Sequence, residues 1–258
     1  MKPVRNILLA VSFEGTSEHD TSSMAGAIGR AFEATVTPIH VVPNLTDRPS
    51  AVEVMSQAAA RRLDETCRSL VDAGVKVGEP IVALGETLAE ILRVADERGA
   101  DLVVVGSGKE PEGERQRLTT LASHLVRRAS QPVLIVKAGC RHRIRKILLP
   151  IDLSHPAHLA ADFAFGLSRR CEAELTLLTA IRPMLDSYLN EGWGGYIAES
   201  HRSLLAEAHD DWRKEQEARF DAIVEDYDLE AIRWRRSLRL GRPPFEIDRE
   251  AREEAIDL

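Results

Sequence analysis

The chain has 258 residues, a length that allows one or two domains. Basic residues number 34 against 41 acidic ones, a net charge of −7, which makes nucleic acid a poor partner because phosphate binding needs a basic field. A hydrophobic content of 44% argues against wholesale disorder, and with only 5% aromatics the core must rest on Val, Ile, Leu and Ala, the composition of a buried parallel sheet.

Residues 7–11 form the first apolar run, too short and too plainly flanked for a secretory signal. No later run approaches the roughly 18 apolar residues of a membrane span. Gly15, Thr16 and Ser17 follow as a loop, and residues 22–34 as a helix. Residues 36–42 read as a second strand, broken by Pro43 and Asn44. Val54, Ala58, Leu63, Leu70 and Val71 give residues 51–73 helical spacing, closed by Gly74. Residues 77–84 are a third strand interrupted by Gly78 and Pro80, and residues 87–98 a helix that stops at Gly99. A fully apolar strand at 102–105 opens into a loop at Gly106, followed by a helix at 118–129 and a last strand at 132–136. Strands alternating with helices imply parallel pairing and a layered α/β sheet with helices on both faces.

Part of this pattern returns. RNILLAV at 5–11 recurs as RKILLPI at 145–151, EATVTPIHVV at 33–42 as EAELTLLTAI at 172–181, and LGETLAEILRVADERGADL at 84–102 as LGRPPFEIDREAREEAIDL at 240–258. Three collinear matches define two copies of one unit. The first spans 1–138, a linker 139–144, and the second 145–258 with an insertion at about 182–225. The copies are expected to superimpose over strands one to three, with 147–151 the central strand of its sheet and Asp152 in the place of Ser12. The second copy stops where the first enters its strand at 102–105, so its last two strands are expected to be missing, and either the product is truncated or something else covers that edge. Within the insertion, residues 198–224 read as a long amphipathic helix with Leu204, Leu205, Ala208, Trp212 and Phe220 on or near one face.

In open α/β sheets ligands sit at the carboxyl ends of the strands. Three loops of the first copy matter: the one starting at Ser12, the one after Val42, and Gly106-Ser107-Gly108-Lys109 leading to Thr119 and Thr120. Small residues with free backbone N–H groups before a helix can hold phosphate; a Gly-rich turn leaving a strand is the plainer reading.

RNILLAVSFEGTSEHD, PIHVVP, ALGETLAEILRVADERGADLVVVGSG and SHLVRRASQPVLIVK together resemble the universal stress protein family, and the whole chain resembles its tandem members. The resemblance implies an α/β fold of two layered five-stranded parallel sheets, adenine nucleotide alpha hydrolase-like, the second copy incomplete. It also implies where a nucleotide, ATP with Mg²⁺, would bind. The family's nucleotide binders carry Gly, two residues, Gly, nine residues, Gly and then Ser or Thr after strand four. Here these positions are Gly106, Lys109, Thr119 and Thr120, so two of the three glycines are replaced. Glycine there permits φ > 0 and close approach of backbone to phosphate. Lys109 supplies a charge, but Glu110, Glu112 and Glu114 oppose it. The family's Asp after strand one is Ser12 in copy one, or arguably Glu14, and Asp152 in copy two. Val41 matches a position whose backbone contacts adenine.

His155 and His158 near Asp152 are spaced i, i+3, but Pro156 explains that order as a helix start. Cys140 and His142 flank Arg141 in what reads as a solvated hinge, and the run 141–146 keeps that linker in water. Cys67, Cys140 and Cys171 form no CxxC pair, which points to neither disulfide nor zinc and to a reducing cytoplasm. No strained nucleophile turn occurs. The expectation is a cytoplasmic, non-enzymatic stress-response or regulatory protein without membrane insertion or metal, with weak or lost nucleotide binding. An ATP-binding switch is the alternative, and a slow hydrolase a third. The resemblance implies dimerisation through the last strand of copy one, Val133, Leu134, Ile135 and Val136, and further protein partners.

Overall fold

The run Ile7, Leu8, Leu9 places apolar side chains on both sides of one backbone, and such a strand is stable only where both faces are covered. The computed structural model describes residues 4–13, 17–45, 47–108, 120–140, 142–152, 158–181, 202–225 and 227–258. In it this run becomes the middle of a sheet. β1 (Asn6–Ala10) pairs in parallel with β2 (Thr35–Val42) on one side and β5 (Leu102–Gly106) on the other, and β6 (Val133–Val136) lies beyond β5. β2 carries two short strands on its outer side, β3 (Lys76–Val77) and β4 (Ile81–Leu84). The expected third strand is therefore two. Gly78 still donates its N–H to the Val36 carbonyl, but Pro80 has no N–H to give, and pairing resumes at Ile81.

Among the described residues, four helices cover this sheet: α1 (Ser17–Phe32), α2 (Pro49–Asp72), α3 (Thr87–Glu97) and α4 (Thr120–Arg128). α1 starts at Ser17 rather than at 22. Its first turn holds Glu18 and Asp20, acids that suit the positive end of a helix but carry no apolar spacing. Side chains alternate across the strands. Leu8, Ile39, Ala83 and Val103 bury one face against Ile91 of α3 and Leu125 of α4. Ile7, Leu9, Val36 and Val104, at 1% exposure or less, fall on the other, the side of α1. A Cβ added at Gly29 would lie 2.8 Å from Val36 Cγ2, so glycine is what lets α1 approach β2 this closely.

The chain divides into two compact units, Met1–Arg143 and Ile144–Leu258. The second is built on β7 (Lys146–Pro150), β8 (Glu174–Ile181) and β9 (Trp234–Leu240), all parallel, in the order β7-β8-β9. Its helices are α5 (His158–Cys171), α6 (Arg202–Glu225) and α7 (Pro243–Glu253). The expectation that 147–151 is the central strand is corrected: β8 is central and β7 lies at the edge. The strands that flank β1 on its far side, β5 and β6, have no counterpart among the described residues of this unit. Only Asp257 and Leu258 reach β7 there. Leu148 donates its N–H to the Leu258 carbonyl at 2.7 Å, and Asp257 its N–H to the Lys146 carbonyl at 3.0 Å.

The repeat nevertheless extends to single atoms. Asp101 Oδ2 accepts the N–H groups of Arg5 and Asn6 at 2.9 and 3.1 Å; Asp257 Oδ2 accepts those of Arg145 and Lys146 at 2.8 and 3.1 Å. Two core positions differ in kind. In the repeat, Ala83 and Val94, both buried, correspond to Arg239 and Glu250. Glu250 is 1% exposed and accepts from Arg239 Nε at 2.6 Å and Arg235 Nη2 at 3.0 Å. No described helix is long and apolar enough to cross a membrane.

Candidate functional site

The strand order of the first sheet reverses at the β1–β5 seam, the place in open α/β sheets where ligands bind at the carboxyl edge. The register pairs Ala10 with Val105 and with Ile39, so Ser12, Val41 and Ser107 stand at one level. Val41 is buried against the α3 side, and Ser12 is exposed. Gly106 ends β5. Ser107 donates its N–H to the Val136 carbonyl, and Gly108 turns the chain at φ 84, in the left-handed region that favours glycine. Ser107 Oγ is buried and finds no hydrogen-bond partner among the described residues. Thr120 is the first residue of α4, its side chain outside the described residues, as are Lys109 and Thr119 altogether. Phe13 packs beside this edge. Its ring stacks on His40 at 4.2 Å and lies 4.3 Å from the Arg62 guanidinium, which also bonds the Phe13 carbonyl and pairs with Glu18.

The second unit carries a cleft of about 540 Å³ at the carboxyl ends of β7 and β8. Ile151, Leu178 and Ile181 give it apolar walls, and Asp152, Gln216 and Arg219 bring polar groups to it. Asp152 occupies the position that Ser12 holds in the first unit: Ile151 donates to the Leu178 carbonyl at 2.8 Å, as Val11 donates to that of Ile39 at 2.8 Å. Thr179 donates to the Ile151 carbonyl at 3.3 Å, and Arg219 pairs with Glu215. α6 presents Trp212, Gln216 and Phe220 at intervals of four, with Phe220 fully buried and Gln216 at 9% exposure. Leu204, Leu205 and Ala208 have side chains outside the described residues, and so do His155 and His158. Among the described residues no three His, Cys, Asp or Glu side chains gather to hold a metal.

Residues 3–137 and 143–258 each match the model of the universal stress protein family. The chain belongs to that family. A universal stress protein of Methanocaldococcus jannaschii is 25% identical over 83 residues, 32% of this chain and 51% of that protein, so the chain spans about half the length of the curated relative it matches. The fold of this universal stress protein is shared with the crystal structure of another from Archaeoglobus fulgidus, with a TM-score of 0.66 at 17% identity over 98% of this chain and 85% of that one. A functionally unknown protein from Pseudomonas aeruginosa gives a TM-score of 0.61 at 17% identity, over 98% and 79% of the two chains.

The structure thus brings Ser12, Val41 and Gly106 to one edge and places Asp152 in the other unit. Sequence reasoning named Ser107 only as part of its loop, and missed Gln216 and the Phe13–Arg62 contact. A spacing of four from Trp212 through Gln216 to Phe220 was the available signal for Gln216. Nothing in the chain order signals that Arg62, on α2, meets Phe13.

Proposed function

We propose that this universal stress protein is a non-enzymatic regulator in the cytoplasmic stress response, acting through dimerisation and protein contacts, with nucleotide binding weak or lost in its first unit. The loop after β5 carries this reading. Lys109 and Thr119 stand at two of the three glycine positions of the family's phosphate loop, and side chains there take the space a phosphate needs beside the backbone. Ser12, in place of the family's acid, offers no charge to a ribose. β6 supports the assembly. It is the edge strand of its sheet, and a second copy could extend that sheet through Val133, Leu134, Ile135 and Val136.

An ATP-binding switch with Mg²⁺ is the second reading. It is favoured by the buried hydroxyl of Ser107 at the end of β5, which finds no partner among the described residues, and by Asp152 in the lining of the second unit's cleft. Titration calorimetry of the full chain with ATP and Mg²⁺ separates the two. A dissociation constant weaker than about 100 μM supports the first, because several backbone hydrogen bonds to phosphate are forgone. Low-micromolar binding transfers the reading to the switch, with Gly106, Lys109 and Thr120 of the first unit as the contacts to test first.

A further inference from the structure

Residues 137–143 join β6 to the second unit, and their polar, glycine-containing sequence reads as a tether in water. The structure pins it instead. Asp20, on α1, accepts the N–H of Gly139 through Oδ2 at 2.7 Å and bonds His142 Nε2 through Oδ1 at 2.9 Å. Gly139 sits at φ 74, and Cys140 donates its N–H to the Lys137 carbonyl. The His142 ring stands edge-on to His19 at 6.0 Å. The bond from Gly139 does most to hold the Asp20 carboxyl below the usual carboxylate range, and His142 adds to it against the opposing effect of burial.

The next residue with a firm position belongs to the other unit: Ile144 is 4% exposed and packs within it. Arg143 alone separates the last residue tied to the first unit from the first residue buried in the second. The fold itself does not call for an acid at this place, since the corresponding residues of the second copy, 139 and 140 positions further on, are Leu159 and Ala160.

We propose that Asp20 is a latch that sets the length of the tether between the two units. With Gly139 and His142 held, the hinge is Arg143; with the latch open, the tether lengthens back to Gly139. Tether length governs how widely the second unit reorients, and so the effective concentration of anything the two units bind together.

The three cysteines of the full chain supply the test. Cys140 lies in the latched turn, while Cys67 on α2 and Cys171 at the end of α5 report on the rest of each unit. Timed alkylation with N-ethylmaleimide, read site by site by mass spectrometry, compares the wild type with His142→Ala and Asp20→Ala. His142→Ala leaves the Asp20 charge in place, so a faster reaction there cannot come from removing a negative charge beside the thiol. The expected result is Cys140 reacting about tenfold faster in both variants, as for the loss of a charge-assisted hydrogen bond, with Cys67 and Cys171 changed less than about twofold. Small-angle scattering should show a broader distribution of dimensions in the variants. An unchanged Cys140 rate, a parallel rise at all three cysteines, or faster Cys140 with unchanged scattering overturns the proposal.

Discussion

On the proposed reading, Lys109 and Thr119 replace two glycines of the family's phosphate-loop sequence, and this substitution is reversible in the laboratory. Lys109→Gly with Thr119→Gly should tighten ATP binding at least tenfold by calorimetry if lost backbone approach is the cause. An unchanged affinity would place the fault at Ser12 instead. Asp20 makes a second prediction at this scale. Its folded-state pKa is lowered, chiefly by the Gly139 N–H. A depressed carboxyl stabilises the fold above its unfolded pKa, near 4, and that stabilisation fades as pH falls through the folded value. The melting temperature of Asp20→Ala should therefore lie below the wild type at pH 7, and the gap should narrow steadily as the pH is taken down from about 5 into the acid range. A gap that does not narrow with acid would mean that packing, not charge, is lost.

Among the elements, β9 and α7 hold the clearest departure from the first copy. Glu250 is buried, and two guanidinium groups compensate it, with Arg239 also meeting Glu253 at 2.6 Å. Arg235 and Arg239 are themselves partly exposed, so the burden of burial falls on the carboxylate. Arg235→Ala with Arg239→Ala should lower stability by about 3 kcal/mol in urea, because a buried charge loses its partners. Adding Glu250→Val, which restores the residue type of Val94, should recover most of that loss. A triple variant no more stable than the double would show that packing of the arginine stems matters more than their charge. The elements of the first unit were legible in sequence because their signals are local: alternation in β2, spacing in α2, Gly74 and Gly99 at helix ends. β3 and β4 were read as one strand interrupted at Gly78 and Pro80; the break was legible, but not that it leaves two separate strands on β2. Neither Glu250 nor Asp20 could be placed, since partners 11 and 119 residues away are set by the fold and not by spacing. At the candidate site, the motif positions Gly106 and Ser12 could be read, while the orphaned hydroxyl of Ser107 depends on what packs over it.

For the whole molecule, the open question of assembly rests on β6. Pro132 and Val136 accept from Val103 and Ser107 through their carbonyls, so the even-numbered residues of β6 face β5 and the odd-numbered ones point their backbone groups outward. Leu134 and Val136 are buried within the unit, which makes them poor places to test an interface. Ile135→Pro removes one outward N–H and leaves the β5 ladder intact. Analytical ultracentrifugation at tens of micromolar should show a dimer for the wild type and a monomer for Ile135→Pro. A wild-type monomer would sink the edge-pairing idea.

The carboxylate of Asp257 that closes the entry to β7 has a consequence in time. It is synthesised 112 residues after the Arg145 amide it binds. At about 5–20 residues per second, the ribosome holds that entry open for roughly 6–22 s. Through this interval the nascent chain displays Ile147 and Leu149 on a strand whose entry is not yet pinned. The matching Asp101 bond closes β1 96 residues after Arg5, so each unit in its turn should depend on chaperones that bind extended apolar chain while its entry strand waits for a carboxylate.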